Sequence, residues 1–66
     1  MEILLNGRPD LSSSGDTLLQ ALERRGLEPG EVVVEINGEI IPRERFGLTA
    51  FKPGDKVEIL HFVGGG

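Results

Sequence analysis

Residues 31–41 read EVVVEINGEII, and this stretch decides the fold class. Its first six residues are mostly β-branched and apolar, a composition typical of a largely buried strand. The next two, Asn37-Gly38, are the strongest short-range signal for a type I′ hairpin turn, because both residues tolerate a positive φ. The chain then returns through residues 39–41, so a β-hairpin is predicted at the centre of the sequence.

A second hairpin is predicted at the start of the chain. Residues 2–5 form a short β-type run, and Asn6-Gly7 repeats the type I′ signal. The return strand, over 8–12, contains Pro9, which has no amide hydrogen to donate to a neighbouring strand. We therefore expect this strand at an edge of the sheet.

Residues 17–25, between the two hairpins, are predicted to form the one main helix. Thr17, with Gln20 three residues later, matches a capping box, in which the two side chains bond free backbone amides at the helix start. Asp16 is an equally good cap on chemical grounds. Gly26 supplies the residue of positive φ that commonly ends a helix. The apolar stripe consists of Leu18, Leu22 and either Leu19 or Ala21.

Three further elements are predicted after the central hairpin. Residues 43–46 favour a single helical turn, with Pro42 at its first position. Residues 52–55 have proline and glycine where a type II turn requires them. The last strand runs over 56–63 and is followed by three glycines.

This order of elements predicts an α+β domain, in which the helix covers one face of a sheet. We expect the domain to span residues 1–63. The last three residues, Gly64–Gly66, are called the glycine tail, and we expect it to be flexible because glycine loses more backbone freedom on ordering than any other residue.

The composition excludes several classes of function. The 66 residues provide for one small core and include no cysteine, which excludes disulfides, thiolate metal sites and a cysteine nucleophile. The formal net charge is −4, with no basic cluster of the kind that nucleic-acid binding requires. No apolar run approaches the roughly 20 residues of a membrane helix. We expect a cytoplasmic protein that is not an enzyme and binds no metal or cofactor of its own.

The glycine tail presents one reactive group, the carboxylate of Gly66, on a lead without Cβ atoms. A carboxylate is a poor electrophile, so it needs activation, such as adenylation by ATP, before a sulfur nucleophile can convert it to a thiocarboxylate. The sequence has no phosphate loop of the G-x-x-x-x-G-K-[ST] type, so we expect a partner enzyme to supply the MgATP chemistry. The alternative is that the glycines are simply a frayed end.

The last strand also predicts a surface for docking. Its alternation places Val57, Ile59, His61 and Val63 on one face and Glu58, Leu60 and Phe62 on the other. Exposure of the second face would leave Leu60 and Phe62 as an apolar patch for a partner, whereas a bulge near His61 would turn Phe62 into the core. His61, the only histidine, and the exposed charges of Arg43 and Arg45 are further candidates for partner contact, although such residues need no function.

Four blocks of the sequence resemble the ThiS family, the sulfur carriers of thiamin-thiazole biosynthesis. They are Ile3-Leu4-Leu5-Asn6-Gly7, Ile36-Asn37-Gly38 leading to Ile40-Ile41-Pro42-Arg43-Glu44, Val57-Glu58-Ile59-Leu60 and the closing HFVGGG. The resemblance covers essentially the whole chain and departs at Phe46, where the family often has Trp or Tyr. It implies a β-grasp (ubiquitin-like) fold: a mixed sheet of four to five strands with the first and last strands side by side.

The resemblance also implies a reaction cycle. A ThiF-like adenylyltransferase would use MgATP to adenylate Gly66, and a cysteine-desulfurase system would supply the sulfur. A ThiG-like thiazole synthase would then take the sulfur from the thiocarboxylate. Gly64 and Gly65 would thread the active sites of these partners.

Three other functions remain open at this point. The small subunit of molybdopterin synthase uses the same tail chemistry, but such chains are usually longer and end in Gly-Gly after a bulkier residue. A ubiquitin-like modifier would be joined through Gly66 to lysines of target proteins. A plain interaction module would have a tail without chemical function.

Overall fold

The structure is a computed structural model that describes residues 2–11 and 15–62. Its elements are β1 (Glu2–Leu5), β2 (Arg8–Leu11), α1 (Leu18–Arg24), a short 3-10 helix (Pro29–Glu31), β3 (Val32–Ile36), β4 (Glu39–Ile40), a second 3-10 helix (Arg43–Leu48) and β5 (Lys56–His61). The predicted boundary between the domain and the glycine tail, at residues 63 and 64, lies outside the described residues.

The five strands form one mixed sheet in the order β2-β1-β5-β3-β4. Strands β1 and β5 run parallel, and the other three pairs are antiparallel. The first and last strands are therefore neighbours at the centre, and the β-grasp fold is confirmed. Within the two described ranges, no helix is long and apolar enough to span a membrane.

Both predicted hairpin turns are confirmed by their backbone angles. Asn6 and Gly7 have φ of +49° and +82°, and Asn37 and Gly38 have φ of +53° and +86°. Type I′ turns require positive φ at both central residues, which asparagine and glycine adopt most easily. Strand β2, which contains Pro9, lies at an edge of the sheet as predicted.

The helix start shows which of the two candidate caps is used. The amide of Gln20 donates to Thr17 Oγ1 (3.2 Å), and the amide of Thr17 donates to Gln20 Oε1 (2.8 Å), which completes the capping box. Asp16 has a different role: its largely buried carboxylate forms an ion pair with Arg24, with Nη2 and Oδ2 3.2 Å apart. The aspartate thus ties the loop before α1 to the last turn of the helix.

The helix ends in a Schellman motif, as Gly26 predicted. Gly26 has φ of +68°, and the amide of Leu27 donates to the carbonyl of Leu22 (2.9 Å). These bonds satisfy carbonyl groups that the helix itself leaves free. A helix of only seven residues is marginal by itself, so α1 depends on packing against the sheet.

The core lies between α1 and the inner face of the sheet. Ala21, one of the two alternatives for the stripe, is buried, whereas Leu19 is half-buried at the margin of the core. The buried apolar residues are Ile3, Leu18, Ala21, Leu22, Val32, Val34, Ile36, Phe46, Phe51, Val57 and Ile59.

The predicted helical turn over 43–46 was too short. Pro42 was predicted at the first helical position, but it is the N-cap, one position before the helix begins. The structure has a 3-10 helix over Arg43–Leu48, with Pro42 as the N-cap in an extended conformation (ψ 145°). The carbonyl of Pro42 accepts from the amide of Arg45 (2.9 Å), so the proline precedes the helix. Phe46, in the middle of this helix, is buried in the core.

The turn before β5 has the predicted form. Gly54 has φ of +83°, and the amide of Asp55 donates to the carbonyl of Lys52 (3.1 Å). The buried Asp55 carboxylate accepts from the Lys52 amide (2.8 Å) and from Asn37 Nδ2 (3.0 Å). The residue directly before β5 is therefore held by hydrogen bonds to Lys52 and Asn37. At the other end, Val63, the last residue of the predicted strand, lies outside the described residues.

Replacement of Thr17 by alanine is expected to lower the free energy of unfolding by about 1 kcal/mol, because the capping box loses its hydroxyl acceptor. In a domain of this size such a loss lowers the melting temperature by about 4–8 °C. Thermal unfolding followed by circular dichroism measures the effect. Thr17→Ser is the matched control, since it keeps the hydroxyl, and an equal loss in both variants would contradict the cap as the cause.

Candidate functional site

Strand β5 is the element that leads to the glycine tail. It occupies the centre of the sheet, between β1 and β3. Gly64, Gly65 and Gly66, which the sequence predicts to be the reacting segment, lie outside the described residues. The described part of the candidate site is therefore the end of β5 and the residues around it.

The even-numbered side chains at the end of β5 are exposed on the face of the sheet opposite the helix. Leu60 is 57% exposed and Phe62 is 50% exposed. Ile59 points to the other face of the strand and belongs to the core. The antiparallel register continues to Val32 opposite His61, and the Phe62 amide donates to the carbonyl of Glu31 (2.8 Å). The pairing leaves no room for a bulge near His61, so Phe62 is not turned into the core.

We call Val33, Leu60 and Phe62 the outer patch. Val33 lies directly opposite Leu60 in the register of β3 and β5 and is half-buried. The patch is bordered on one side by two acidic residues, because Glu35 lies directly opposite Glu58. Lys56 lines the same part of the outer surface as these two glutamates, so a positive charge lies among them. The outer surface thus combines an apolar end near the end of β5 with a charged region that contains two glutamates and one lysine.

His61 lies beside the carboxylate of Glu31. Its Nε2 is 3.5 Å from Glu31 Oε1, with side chains 44% and 58% exposed. The contact is an ion pair only when the imidazole is protonated, and an exposed pair of this kind contributes little to stability. Within residues 2–11 and 15–62, no group of three His, Asp or Glu side chains is placed to hold a metal ion.

Arg43 reaches the same end of the sheet from the second 3-10 helix. Its guanidinium lies over Gly30, where a Cβ atom would be 2.7 Å from Nη1. Gly30 precedes Glu31, which contacts both His61 and Phe62. The structure therefore brings Arg43, His61 and Phe62 to the end of the domain from which the tail continues, although these residues are far apart in the sequence. Arg45 is exposed on the same 3-10 helix.

Sequence reasoning missed the role of the two turn asparagines. Asn37 Oδ1 accepts from the Lys56 amide (2.9 Å), and Asn6 Oδ1 accepts from the Ile59 amide (2.8 Å). Each side chain therefore bonds the backbone of β5, one from each neighbouring strand. The available signal was the choice of asparagine at both turns, where glycine or aspartate would also satisfy the backbone angles.

Comparison with known proteins assigns the family. Residues 3–66 match the model of the ThiS family. The sulfur carrier protein ThiS of Bacillus subtilis is 42% identical over 64 residues, which cover 94% of this chain and 96% of that protein. The crystal structure of the thiamine biosynthesis protein ThiS from Geobacter metallireducens superposes with a TM-score of 0.77 at 37% identity, covering both chains completely.

A longer relative is also similar. A thiazole synthase of Magnetococcus marinus is 38% identical over all 66 residues, but this chain spans only 20% of its length. The similarity therefore concerns one segment of that enzyme. The family model and the Bacillus protein both match nearly the whole chain, and on that basis this chain belongs to the ThiS family.

Proposed function

We propose that this chain is a sulfur carrier protein of thiamin biosynthesis and that the carboxylate of Gly66 carries the sulfur. The observation that supports this most directly is the match to the ThiS family, which extends through residue 66 and includes all of the glycine tail. The domain supports the same function, because β5 at the centre of the sheet leads directly toward the tail.

The chemistry needs two steps, and both belong to partner enzymes. In the first, a Gly66 carboxylate oxygen attacks the α-phosphate of MgATP on a ThiF-like adenylyltransferase, which forms the acyl adenylate and releases pyrophosphate. In the second, a persulfide supplied by a cysteine-desulfurase system attacks the acyl carbon and expels AMP. A thiol of the partner then cleaves the S–S bond of the resulting acyl disulfide, which releases the thiocarboxylate and leaves a disulfide on the partner. The carrier contributes the carboxylate and the surface by which it is held.

A ThiG-like thiazole synthase is the proposed acceptor of the sulfur. The support is the thiazole synthase of Magnetococcus marinus, one segment of which resembles this entire chain. A carrier-like segment within the synthase itself indicates that the two proteins act together, since covalent linkage raises the effective concentration of one at the other.

The outer patch, with Arg43 and His61, is the proposed docking surface for these enzymes. An enzyme that acts on the tail must also hold the domain, because glycine offers no side chain to recognise. Leu60 and Phe62 supply exposed apolar area next to the start of the tail. The net charge of −4 favours a partner surface that carries basic side chains.

Incubation with the adenylyltransferase, MgATP and the sulfur-donor system is expected to exchange one oxygen atom of the protein for sulfur. Intact-mass measurement followed by fragmentation should locate the exchange at Gly66. A variant with one alanine added after Gly66 is the control, since its carboxylate no longer occupies the reacting position. Conversion of both proteins, or lysine-linked conjugates in place of the thiocarboxylate, would contradict the proposal.

Replacement of Leu60 or Phe62 by threonine is expected to raise the Kd for the adenylyltransferase about tenfold, which corresponds to about 1.4 kcal/mol. The free energy of unfolding should change by less than about 1 kcal/mol, because both side chains are half-exposed or more. Titration calorimetry and chemical denaturation measure the two quantities.

Leu48→Thr is the matched control for this experiment. Leu48 is 82% exposed and is the last residue of the second 3-10 helix, whereas Arg43 of the proposed docking surface is its first residue. Its replacement removes the same apolar group and should leave the Kd unchanged. Equal weakening by Leu48→Thr would show that the outer patch has no special role.

A further inference from the structure

The side chain of Asn6 makes two hydrogen bonds to one residue of β5. Its Oδ1 accepts from the Ile59 amide at 2.8 Å, and its Nδ2 donates to the Ile59 carbonyl at 3.3 Å. These bonds join residues 53 positions apart in the sequence. Asn6 can make them because it sits at φ +49° in the turn after β1, a conformation that most residues adopt only at a penalty of about 1–2 kcal/mol.

These two bonds extend the parallel pairing of β1 and β5 by one step. In this pairing the Leu4 amide donates to the Asp55 carbonyl (2.9 Å), and the Asn6 amide donates to the Val57 carbonyl (2.8 Å). The turn at Asn6 then takes the backbone away toward β2. The side-chain amide of Asn6 occupies the place that the next peptide unit of β1 would have occupied, so the backbone groups of Ile59 remain paired.

Within the described part of the chain, the backbone of β5 beyond Ile59 is hydrogen-bonded on the β3 side only. Among residues 2–11 and 15–62, no backbone hydrogen bond joins His61 to β1 or to the turn after it. On the other side, pairing with β3 continues to the Phe62 amide, which donates to the Glu31 carbonyl (2.8 Å). Among the residues that the structure describes, Asn6 is therefore the last hydrogen-bonding partner of β5 on the β1 side.

Asn37 provides an internal comparison. It has the same position in its own turn, a similar φ of +53°, and a side chain whose Oδ1 accepts from the Lys56 amide (2.9 Å). Its bonds hold the beginning of β5, whereas those of Asn6 hold the part that leads to the tail. The two asparagines share local chemistry and differ in which end of the strand they fix.

We propose that Asn6 is a positioning residue for sulfur transfer: its amide keeps residues 59–62 in the sheet and thereby fixes where the glycine tail leaves the domain. This inference rests on the proposed function. Without the amide, residues 59–62 leave the sheet more often, and only the fraction in which they are paired presents Leu60, Phe62 and the start of the tail together. A partner then binds with an apparent affinity reduced by that fraction, while the rate of chemistry after binding is unchanged.

The test compares Asn6→Gly with Asn37→Gly. Glycine adopts positive φ without strain, so each variant keeps its turn and loses only the side-chain bonds. The first readout is amide hydrogen exchange measured by NMR. The exchange rates of the Leu60 and Phe62 amides are each divided by the rate of the Ile41 amide, and this quotient is called the exchange ratio. Ile41 is the reference because its amide donates to the Val34 carbonyl, next to the β3–β4 hairpin and away from Asn6. Steady-state adenylation of the intact carrier gives the second, as KM and kcat.

Asn6→Gly is expected to raise the exchange ratio at least tenfold and to raise KM by the factor 1/f, where f is the fraction of molecules in which residues 59–62 are paired, with kcat within twofold of the wild type. Asn37→Gly should leave the exchange ratio and KM within twofold of the wild-type values, even if it lowers the melting temperature as much as Asn6→Gly does. Asn6→Asp keeps an acceptor for the Ile59 amide and loses the donor to the Ile59 carbonyl, so it should fall between Asn6→Gly and the wild type. It also tests the proposal if Asn6→Gly does not fold.

An unchanged exchange ratio in Asn6→Gly overturns the proposal, and so does an equal rise in KM in the two glycine variants. A fall in kcat without a rise in KM also overturns it. If the wild-type protein is not adenylated, the proposed function fails, while the exchange ratio still decides whether Asn6 holds the end of β5.

Discussion

The structure depends on the pairing of β5 with strands on both sides. A central strand must have its backbone amides and carbonyls bonded along both edges, because unpaired buried groups are costly. Strand β3 meets this need along the whole length of β5, but β1 is too short. The Asn6 side chain supplies the missing step at Ile59, and Asn37 completes the start of the strand at Lys56. In a chain of 66 residues, two asparagine side chains thus replace the longer neighbouring strand that a larger protein could provide.

Because side chains alternate along β5, one face of the strand packs in the core and stabilises the fold, while the other face is exposed. Val57 and Ile59 point into the core beneath α1, while Glu58 and Leu60 point to the opposite face. Substitutions on the outer face can therefore change what the domain binds without creating cavities in its interior. This separation suits a carrier, because a core of this size leaves little room for an enclosed catalytic site.

Local sequence was sufficient to predict the turns and the edge position of the Pro9 strand, because each depends on residues within four positions of one another. For the helix cap it left two candidates, Thr17 and Asp16, and the structure shows that Thr17 is used. The order of the strands came from the family resemblance, since periodicity does not say which strands are neighbours. Alternation gave the two faces of β5 but could not decide whether Phe62 stayed exposed, because that depends on pairing with Glu31 across the sheet. The bonds of Asn6 to Ile59 could not be predicted for the same reason: the backbone angle is local, and the partner lies 53 residues away.

Under the proposed function, recognition of this protein must come almost entirely from its folded domain. A tail of three glycines presents only main-chain groups and a carboxylate, and any carrier with a similar tail presents the same ones. An enzyme that distinguishes carriers of different pathways therefore needs contacts with side chains near the end of β5, where Phe62, His61 and Arg43 are gathered. Discrimination also gains from repulsion of unsuitable partners, and the opposed Glu35 and Glu58 would disfavour an acidic surface at the same place.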